Sequence, residues 1–418
     1  MVALSGLAMT SRSPAAPLSE HARDFREQLA SKIMPYWFDT AQDTKHGGYL
    51  MADDLKGRGV ATEKQLVSQA RMVWGFSHAH LKGYSTAQRN YLQAARQGYQ
   101  FLLDHFLDRE QGGYYWKTDL AGQVTNNRKI VYGQSFVVYA FVEYYRASGE
   151  KAALRQAMDL YQTLQQRAHD PKHGGWVEHF ERDWTPLKLR DPKAEVEVAG
   201  LKSANTHLHY MEALTELYDA SRDPGVKKSL EEALKINCDY FYPLQPGQSA
   251  FHRQPDWSAV TDRGSAGLSY GHNVEFAWLM IRAEKTLGRT PSWPHFRAHV
   301  DHALKYGYDH QRGGLYALGN DDHPATKTDK VWWVEAEMMA ALTDGLLRKK
   351  NAEYTTALDQ LIHFVLAHQV DAKDGIWLDT VTAEGLPKSG GKAHSWKANY
   401  HDVRAIVKFV EAFGPPVK

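Results

Sequence analysis

Apolar residues recur at intervals of three and four along two sets of segments, which is the pattern of amphipathic α-helices. One set precedes a glycine-rich turn in each part of the chain, and the other set follows it. The first set predicts helices over residues 19–38, 90–106, 151–168 and 352–368. The second set predicts helices over residues 69–82, 132–146, 204–220, 272–287, 332–347 and 400–412.

A Gly-aromatic motif separates the two helices of a pair and repeats along the chain. Its copies are HGGYL at Gly47, QGGYY at Gly112, HGGWV at Gly174, RGGLY at Gly313 and a degenerate DGIWL at Gly375. A missing copy would fall near Gly247, so the span from Gly47 to Gly375 contains five intervals of about 66 residues. The aromatic residues that follow the glycines alternate with other residues, which indicates short β-hairpins.

Six helix pairs can bury their apolar faces by closing into a ring with one helix of each pair inside. We therefore predict an all-α fold, an (α/α)6 barrel with short β-hairpins in the loops. Residues 19–413 are predicted to form this single catalytic domain, and residues 1–18 a disordered leader. The alternative is an open solenoid, but the first and last units show none of the polar capping that open solenoids need.

Bulky polar and aromatic residues stand near the start of every second helix, in phase with the repeat. Six helix starts in a closed ring converge on one mouth, and a concave site with a few convergent polar groups is the default candidate for an active site. The residues at these starts include Arg71, Tyr132, Gln134, Asn205, His207, His209, His272, Glu275, Trp333, Glu337, Trp396 and His401.

Two of these histidines suit reversible proton transfer at carbon. His272 and His401 belong to units four and six, which are not neighbours in the ring, so they can approach a bound molecule from different sides. Imidazoles titrate near neutral pH and serve as both acid and base. Glu275 follows His272 by three residues and lies on the same helix face, where its carboxylate can orient the imidazole or act beside it.

The composition excludes several other classes of function. The formal net charge of +1 gives no basic surface for nucleic acid and no attraction to anionic membranes. No run of about 18 apolar residues predicts a transmembrane helix. The single cysteine, Cys238, excludes an internal disulfide and a cysteine zinc cluster, and it is typical of a reducing compartment, so we expect a cytoplasmic protein.

The motifs resemble those of the cellobiose 2-epimerases and the wider N-acylglucosamine 2-epimerase superfamily. The resemblance covers about residues 25–412. It is carried by YGQSFVVYAFVEYYRASGE, NTHLHYMEALTELY, SYGHNVEFAWLM, TDKVWWVEAE and WKANYHDVRA in this order. It implies an (α/α)6 fold and 2-epimerisation at the reducing end of β-1,4-linked disaccharides without a metal or other cofactor.

The resemblance also implies roles for individual residues. It places the catalytic histidines at His272 and His401, a third histidine at His207, and the neighbouring carboxylate at Glu275. It implies that the sugar is bound by a further set of residues. These are Arg71, Tyr132, Asn205, Trp333, Glu337 and Trp396.

Two motifs depart from the usual cellobiose epimerase pattern. The last motif reads YHDVR rather than YHNGR, with Asp402 and Val403 as the substituted positions, and Glu335 stands where the tryptophan motif often has Gln. These departures leave the catalytic positions intact but put the subsite for a second sugar in question. A D-mannose 2-epimerase and an aldose–ketose isomerase therefore remain close alternatives.

Two functions from other classes stay open at this stage. An (α/α)6 glycoside hydrolase needs two carboxylates beside the scissile bond, and Glu275 with Glu337 or Asp402 could supply them. A non-catalytic sugar-binding protein would keep the pocket without the chemistry. For the epimerase we expect a small-molecule sugar as the only partner, no nucleic acid or membrane, and a monomer or weak homodimer.

Overall fold

The computed structural model describes residues 17–51, 61–260, 268–319, 321–389 and 391–415. Its α-helices, numbered in chain order, are α1 Leu18–Gln28, α2 Met34–Ala41, α3 Leu66–Leu81, α4 Tyr91–Phe101, α5 Val131–Ser148, α6 Lys151–Arg167, α7 Ala204–Ser221, α8 Pro224–Ile236, α9 Tyr270–Thr286, α10 Trp293–Tyr306, α11 Trp332–Arg348, α12 Ala352–Phe364 and α13 His401–Phe413. The predicted leader lies outside the described residues, apart from its last two positions, where Leu18 already begins α1.

Short π-helical turns extend several of the helices that precede the glycine motif. They explain why the sequence predicts helices over 90–106 and 352–368, which run beyond the ends of α4 and α12. These turns are Leu29–Ile33, Leu102–Phe106, Asn237–Phe241 and Val365–Gln369, and the first of them joins α1 to α2.

The odd-numbered helices from α3 to α13 form a closed inner ring. Each packs against the next, and α13 returns to pack against both α3 and α1, which closes the circle. Most residues of α5 and α7 are buried on every side, as expected for helices surrounded by protein. The remaining helices lie outside and bury one face each. The predicted (α/α)6 barrel is confirmed, and the open solenoid is wrong because the ring closes.

Short strands stand at the amino ends of the inner helices. The strands are β1 Lys64–Gln65, β2 Lys117–Thr118, β3 Val124–Asn126, β4 Lys129–Ile130, β5 His179–Phe180, β6 Lys202–Ser203, β7 His252–Arg253, β8 Lys330–Val331, β9 Thr380–Val381 and β10 Pro387–Ser389. They pair antiparallel as β1-β2-β3, β4-β5, β6-β7 and β8-β9-β10. Because β1, β4, β6 and β8 each lead directly into an inner helix, these helices all begin at the same end of the barrel.

A buried lysine ties each of these strands to the glycine turn of its unit. The Lys64 ammonium binds Asp43 at 2.7 Å and also donates to the carbonyl oxygens of Gly47 and Leu120. The other carboxylate oxygen of Asp43 accepts the backbone N–H groups of Lys45 and His46, which shapes the turn. The same pairing joins Lys129 to Asp108, Lys202 to Asp170 and Lys330 to Asp309, and in the last unit Lys392 binds Asp371 and Asp374.

In several inner helices the side chain of the fourth residue accepts a hydrogen bond from the backbone N–H that follows the Gly-Gly pair. Gln69 accepts the N–H of Tyr49 at 2.8 Å, and Gln134 accepts the N–H of Tyr114 at the same distance. Both glycines of each pair have positive φ, and a Cβ on the second would lie 2.7 Å from the Gln69 amide oxygen in unit one. We name these side chains the turn anchors. They are Gln69, Gln134, His207 and Glu335.

Replacing Lys64 with methionine is expected to lower the free energy of unfolding by about 3–5 kcal/mol, because the Asp43 carboxylate would stay buried without its cation. Urea unfolding followed by circular dichroism measures the change. The matched control is Lys235→Met, which removes an exposed pair with Asp239 and should have no measurable effect. Equal effects of the two substitutions would contradict the role of the buried pair.

Glu335→Gln is expected to stabilise the protein increasingly as pH rises. Burial raises the pKa of Glu335 to about 8, so the folded state binds more protons than the unfolded chain between pH 4.5 and that value. The wild type therefore loses stability across this interval, while the amide, which Gln69 and Gln134 already use at the same position, does not titrate. We expect no difference at pH 4.5 and about 2–4 kcal/mol at pH 8 in urea unfolding. A pH-independent difference would contradict this account.

Candidate active site

Solvent reaches the starts of three inner helices at one residue each. In the first turns of α7, α9 and α11, Asn205, His272 and Trp333 are partly exposed, while the residues beside them in these turns are buried. Trp396, which precedes α13, is also partly exposed. These side chains therefore face an opening at the amino end of the barrel, where the sequence predicts the active site.

A ring of six side chains lies below this opening, one from each inner helix. Its member is the sixth residue of α3, α5, α7, α9 and α11, which is two residues after the turn anchor where one is present, and the fourth residue of α13. We call it the axial ring, and most of its members are ionisable. It consists of Arg71, Phe136, His209, Glu275, Glu337 and Arg404. The intervals between them follow the repeat, and five of the six inner helices bring a charged group or an imidazole to this ring.

Arg404 joins three carboxylates from three different helices. Its guanidinium donates to Glu275 at 2.9 Å and to Glu337 at 2.7 Å, and it also binds Glu212 and the Tyr400 hydroxyl. All three carboxylates are buried, so their charges depend on one another. The cation and hydrogen bonds hold the pKa values of Glu212 and Glu337 at about 2, despite their burial. Glu275 lies between them, and desolvation with the charge of Glu337 raises its pKa well above the usual value.

The tautomer of His401 follows from its partner. Its Nδ1 lies 2.6 Å from Glu337 Oε1, and an ionised carboxylate can only accept, so Nδ1 carries the proton. Burial lowers the pKa of His401 to about 3, which makes the ring neutral near pH 7. No described residue hydrogen-bonds to Nε2, which therefore presents a free lone pair. Glu337 is itself fixed by the indole N–H of Trp278, which donates to Oε2 at 2.9 Å.

His272 is the second neutral imidazole of the site. Its Nδ1 lies 2.7 Å from the hydroxyl of Ser269, the residue that caps α9, and burial lowers its pKa to about 3. The Trp333 indole stands between the two histidines, with its ring centroid 4.7 Å from that of His272 and 5.8 Å from that of His401. The two imidazoles thus flank one aromatic surface at the opening.

Arg71 forms the opposite wall with two aromatic residues. It donates to the Trp396 carbonyl oxygen at 2.8 Å and to the Tyr132 hydroxyl at 3.0 Å. Among the described residues its buried Nε–H has no acceptor, so one donor remains for a bound molecule. Asn205 completes this side: it donates to Glu197 at 3.1 Å, while Glu197 also binds His252.

The structure does not bring His207 to this group, so its geometry argues against the predicted catalytic role. Its Nδ1 donates to the Ser203 carbonyl oxygen at 2.7 Å, and its Nε2 accepts the N–H of Trp176 at 3.2 Å. Both ring nitrogens are occupied by the backbone, so His207 is a turn anchor like Gln69 and Gln134. Two residues further on, His209 points to the axis instead.

His209 was among the polar residues that the sequence placed at the helix starts, but no role was predicted for it. Its Nδ1 lies 2.9 Å from Glu212 Oε2, and its Nε2 lies 4.0 Å from Glu275 Oε2. Arg404, Glu212 and Trp278 were missed as well. An alignment of the six units on Gln69 and Gln134 finds the axial ring two residues later, and this signal separates His209 from His207.

Two groups of these side chains have metal-ligand geometry. His209, Glu212 and Glu275 carry donor atoms within 4.8 Å of one another, and so do Glu275, Glu337 and His401. The carboxylates of both groups already accept hydrogen bonds from Arg404, a cation fixed in the protein. We therefore interpret both groups as one ion-pair network.

The chain matches the family model described as N-acylglucosamine 2-epimerase (GlcNAc 2-epimerase) over residues 47–405. It is 27% identical to a cellobiose 2-epimerase of Dictyoglomus turgidum, covering 92% of this chain and 97% of the relative. A D-mannose isomerase of Marinomonas mediterranea is 24% identical, covering 93% of this chain and 97% of the relative. The crystal structure of a cellobiose 2-epimerase from Spirochaeta thermophila superposes with a TM-score of 0.83 at 30% identity, over 95% of this chain and 97% of that one.

The match over most of its length makes this chain a member of the N-acylglucosamine 2-epimerase family. Its fold and its relatives together identify it as an isomerase of the sugar 2-epimerase class. Within the residues that the structure describes, no helix combines the length and apolar character needed to cross a membrane.

Exchanging each of the two neighbouring histidines for glutamine should separate their roles. His207→Gln is expected to retain at least about half of the epimerase activity, because Gln69 and Gln134 perform the same anchoring in other units. His209→Gln is expected to lower kcat/KM by about 100-fold or more, because it disrupts the polar contacts with Glu212 and Glu275. Steady-state kinetics with both variants tests this, and a reversed order of effects would contradict the assignment.

Proposed function

We propose that the protein inverts C2 of a reducing-end hexose by proton transfer between carbon and the imidazoles of His272 and His401. The observation that carries this proposal is the pair of neutral imidazoles that both contact the Trp333 indole. Each has its Nδ1 engaged by a neighbouring side chain, so its Nε2 is left for the substrate. A sugar stacked on the indole would then meet one imidazole from each side.

The first step is opening of the cyclic hemiacetal, because only the open aldehyde makes the C2 proton acidic. The hydrogen on the anomeric oxygen leaves as the ring oxygen gains one, and His272 is positioned for this exchange. His401 Nε2 then removes the proton from C2. The resulting imidazolium is stabilised by the negative charge of Glu337, whose Oε1 lies 2.6 Å from His401 Nδ1.

Loss of this proton gives an enediolate, whose oxygens need fixed hydrogen-bond donors. The free Nε–H of Arg71 supplies one. We propose Glu275 as a second, because its raised pKa favours the protonated form that can donate, and its Oε2 has no hydrogen-bond partner among the described residues. One such donor typically contributes about 3–4 kcal/mol to transition-state stabilisation. His207 has no role in this step.

Return of a proton to the other face of C2 gives the epimer. His401, which now carries the C2 proton, returns it after rotation about the C2–C3 bond. In the alternative route, His272 first takes up a proton from solvent and delivers it from the opposite side, and His401 then releases its own proton to solvent. A proton returned to C1 instead gives the ketose, which is the outcome for an aldose–ketose isomerase. The same residues therefore serve both reactions, and the position of the enediolate relative to the imidazoles decides between them.

We propose cellobiose, or a related β-1,4-linked disaccharide, as the substrate. A cavity of about 480 Å3 lies beside the mouth, and Glu63, Lys117, Asn126 and Glu195 are among the residues that line it. The Trp116 side chain contacts both this cavity and the site. Its indole N–H donates to Glu195 at 2.9 Å, and its ring centroid lies 6.1 Å from that of Trp396. This polar space suits the hydroxyl groups of a second sugar. D-Mannose is the second candidate, supported by the mannose isomerase relative.

We further propose that the protein works in the cytoplasm, as a monomer or weak homodimer with no nucleic-acid or membrane partner. The single cysteine and the near-neutral charge support this view. The proposed chemistry needs no metal or other cofactor, because imidazoles, a guanidinium and a neutral carboxyl group supply each proton transfer and each donor.

Replacing either histidine with asparagine is expected to lower kcat at least 1,000-fold while the fold persists, because the transferred proton loses its acceptor on one face. Product analysis by liquid chromatography with cellobiose, and separately with D-mannose, measures turnover and substrate choice. Glucosyl-mannose from cellobiose supports the proposal, and glucose release would favour the hydrolase. Near-wild-type turnover in His272→Asn or His401→Asn would overturn the mechanism.

A further inference from the structure

Two polar side-chain contacts join α11 to α13, and the second repeats the first deeper in the barrel. Near the mouth, Glu337 of α11 binds His401 of α13 at 2.6 Å. Seven residues further along both helices, Asp344 binds the Lys408 ammonium at 2.6 Å. Seven residues are two helical turns, or about 10.5 Å of axial rise. The second pair therefore stands below the first with the same two helices as partners.

The indole of Trp278, on the neighbouring helix α9, contacts both pairs. Its Nε1–H donates to Glu337 Oε2 at 2.9 Å. The Lys408 ammonium lies 4.1 Å from the centroid of the same indole ring, and the Arg404 guanidinium carbon lies 4.7 Å from it. Trp278 thus connects Lys408 to the carboxylate that holds His401.

Lys408 lies too deep to be a substrate contact. It stands in the last turns of α13, and its partner Asp344 is close to the end of α11. Their side chains are 23% and 16% exposed. Because the inner helices all begin at the mouth, this exposure comes from the opposite end of the barrel. An effect of Lys408 on the reaction must therefore pass through the residues between it and His401.

We propose that Lys408 is a positioning residue for the catalytic base, acting through Trp278 and Glu337 on His401. The inference rests on the proposed function, because only that function makes His401 a base. A cation on the face of an indole withdraws electron density and makes the N–H a stronger donor. The Trp278 hydrogen bond then holds Glu337 in the orientation that places its other oxygen on His401 Nδ1. Asp344 keeps the ammonium on the ring.

Lys408 also adds positive charge below the base. Other charged or titratable groups surround His401 from every helix packed against it. They are Glu337 on α11, Arg404 on its own helix, Tyr400 next to it in the chain, Arg71 on α3, and His272 and Glu275 on α9. Asp344 and Arg404 are the charged groups nearest Lys408, and Glu337 is the next. Removing the ammonium weakens the repulsion of an imidazolium, so the pKa of His401 should rise.

The test is Lys408→Met, with Lys408→Arg as the conservative variant. We expect Lys408→Met to lower kcat about tenfold with KM within twofold of the wild type, because the base is displaced while the sugar contacts remain. The acid limb of the kcat/KM profile should move to higher pH. Lys408→Arg should restore at least half of kcat, since it keeps a cation over the indole.

Two control variants separate positioning from general stability. Asp344→Asn removes the carboxylate charge but leaves an amide oxygen to accept from the Lys408 ammonium, so the cation stays on Trp278 and kcat should remain within threefold of the wild type. Lys202→Met removes a buried lysine from a glycine turn on another part of the barrel, so it should lower the melting temperature without moving the pH profile. Two results would overturn the proposal. One is an unchanged kcat in Lys408→Met. The other is a loss of kcat that is equal in Lys408→Met and Lys408→Arg, with no shift of the kcat/KM profile in pH.

A second readout is independent of turnover and of a lowered melting temperature. Titration of 15N-histidine signals at 10 °C, with His401 assigned from the His401→Asn spectrum, reports the imidazole in the resting protein. A higher His401 pKa in Lys408→Met supports the proposal, and an unchanged one overturns it. If the wild type turns over no sugar, the proposed function fails, yet this titration still decides whether Lys408 acts on His401.

Discussion

The placement of three carboxylates around one guanidinium is the constraint on which the site depends. Glu212, Glu275 and Glu337 come from three helices and are all buried on the barrel axis, where Arg404 binds each of them. One cation cannot neutralise three adjacent carboxylates, so the pKa of the middle one, Glu275, is raised well above its usual value. The network thereby gives glutamates two different characters: Glu212 and Glu337 are ionised partners for His209 and His401, and Glu275 is shifted towards its protonated form.

Two side-chain positions in each repeat build this network, one at the glycine turn and one on the barrel axis. At the fourth residue of an inner helix the side chain anchors a Gly-Gly turn, as Gln69 and Gln134 do. Two residues later the side chain turns by about 200° around the helix and points to the axis. The buried Lys–Asp pairs at the turns then fix where each helix begins, and so they set the height at which the axial residues meet.

The fold was predictable because its signal is periodic and redundant. Helical periodicity, the recurring Gly-aromatic motif and the spacing of about 66 residues all indicate the same ring, and the structure confirms it. The convergence of His272, Trp333 and His401 followed from their phase in the repeat. The roles of the two histidines in the motif NTHLH were harder to predict, because either one fits a polar helix start. The hydrogen bond from the Trp176 N–H identifies His207 as the anchor, in agreement with an alignment of the units on Gln69 and Gln134. Arg404 occurs at the repeat interval and such an alignment finds it, whereas Glu212 was missed because the long-range pairing of a buried charge leaves no periodic signal.

Proton NMR of the protein with cellobiose in D2O tests the central claim most directly. If His272 and His401 exchange the C2 proton through an enediolate, deuterium enters C2 of the reducing-end residue and the spectrum of a glucosyl-mannose appears. The same exchange with D-mannose alone would assign the enzyme to monosaccharides. An intact C2 proton in both sugars after prolonged incubation would contradict the account, because the paired imidazoles would then have no acidic carbon on which to act.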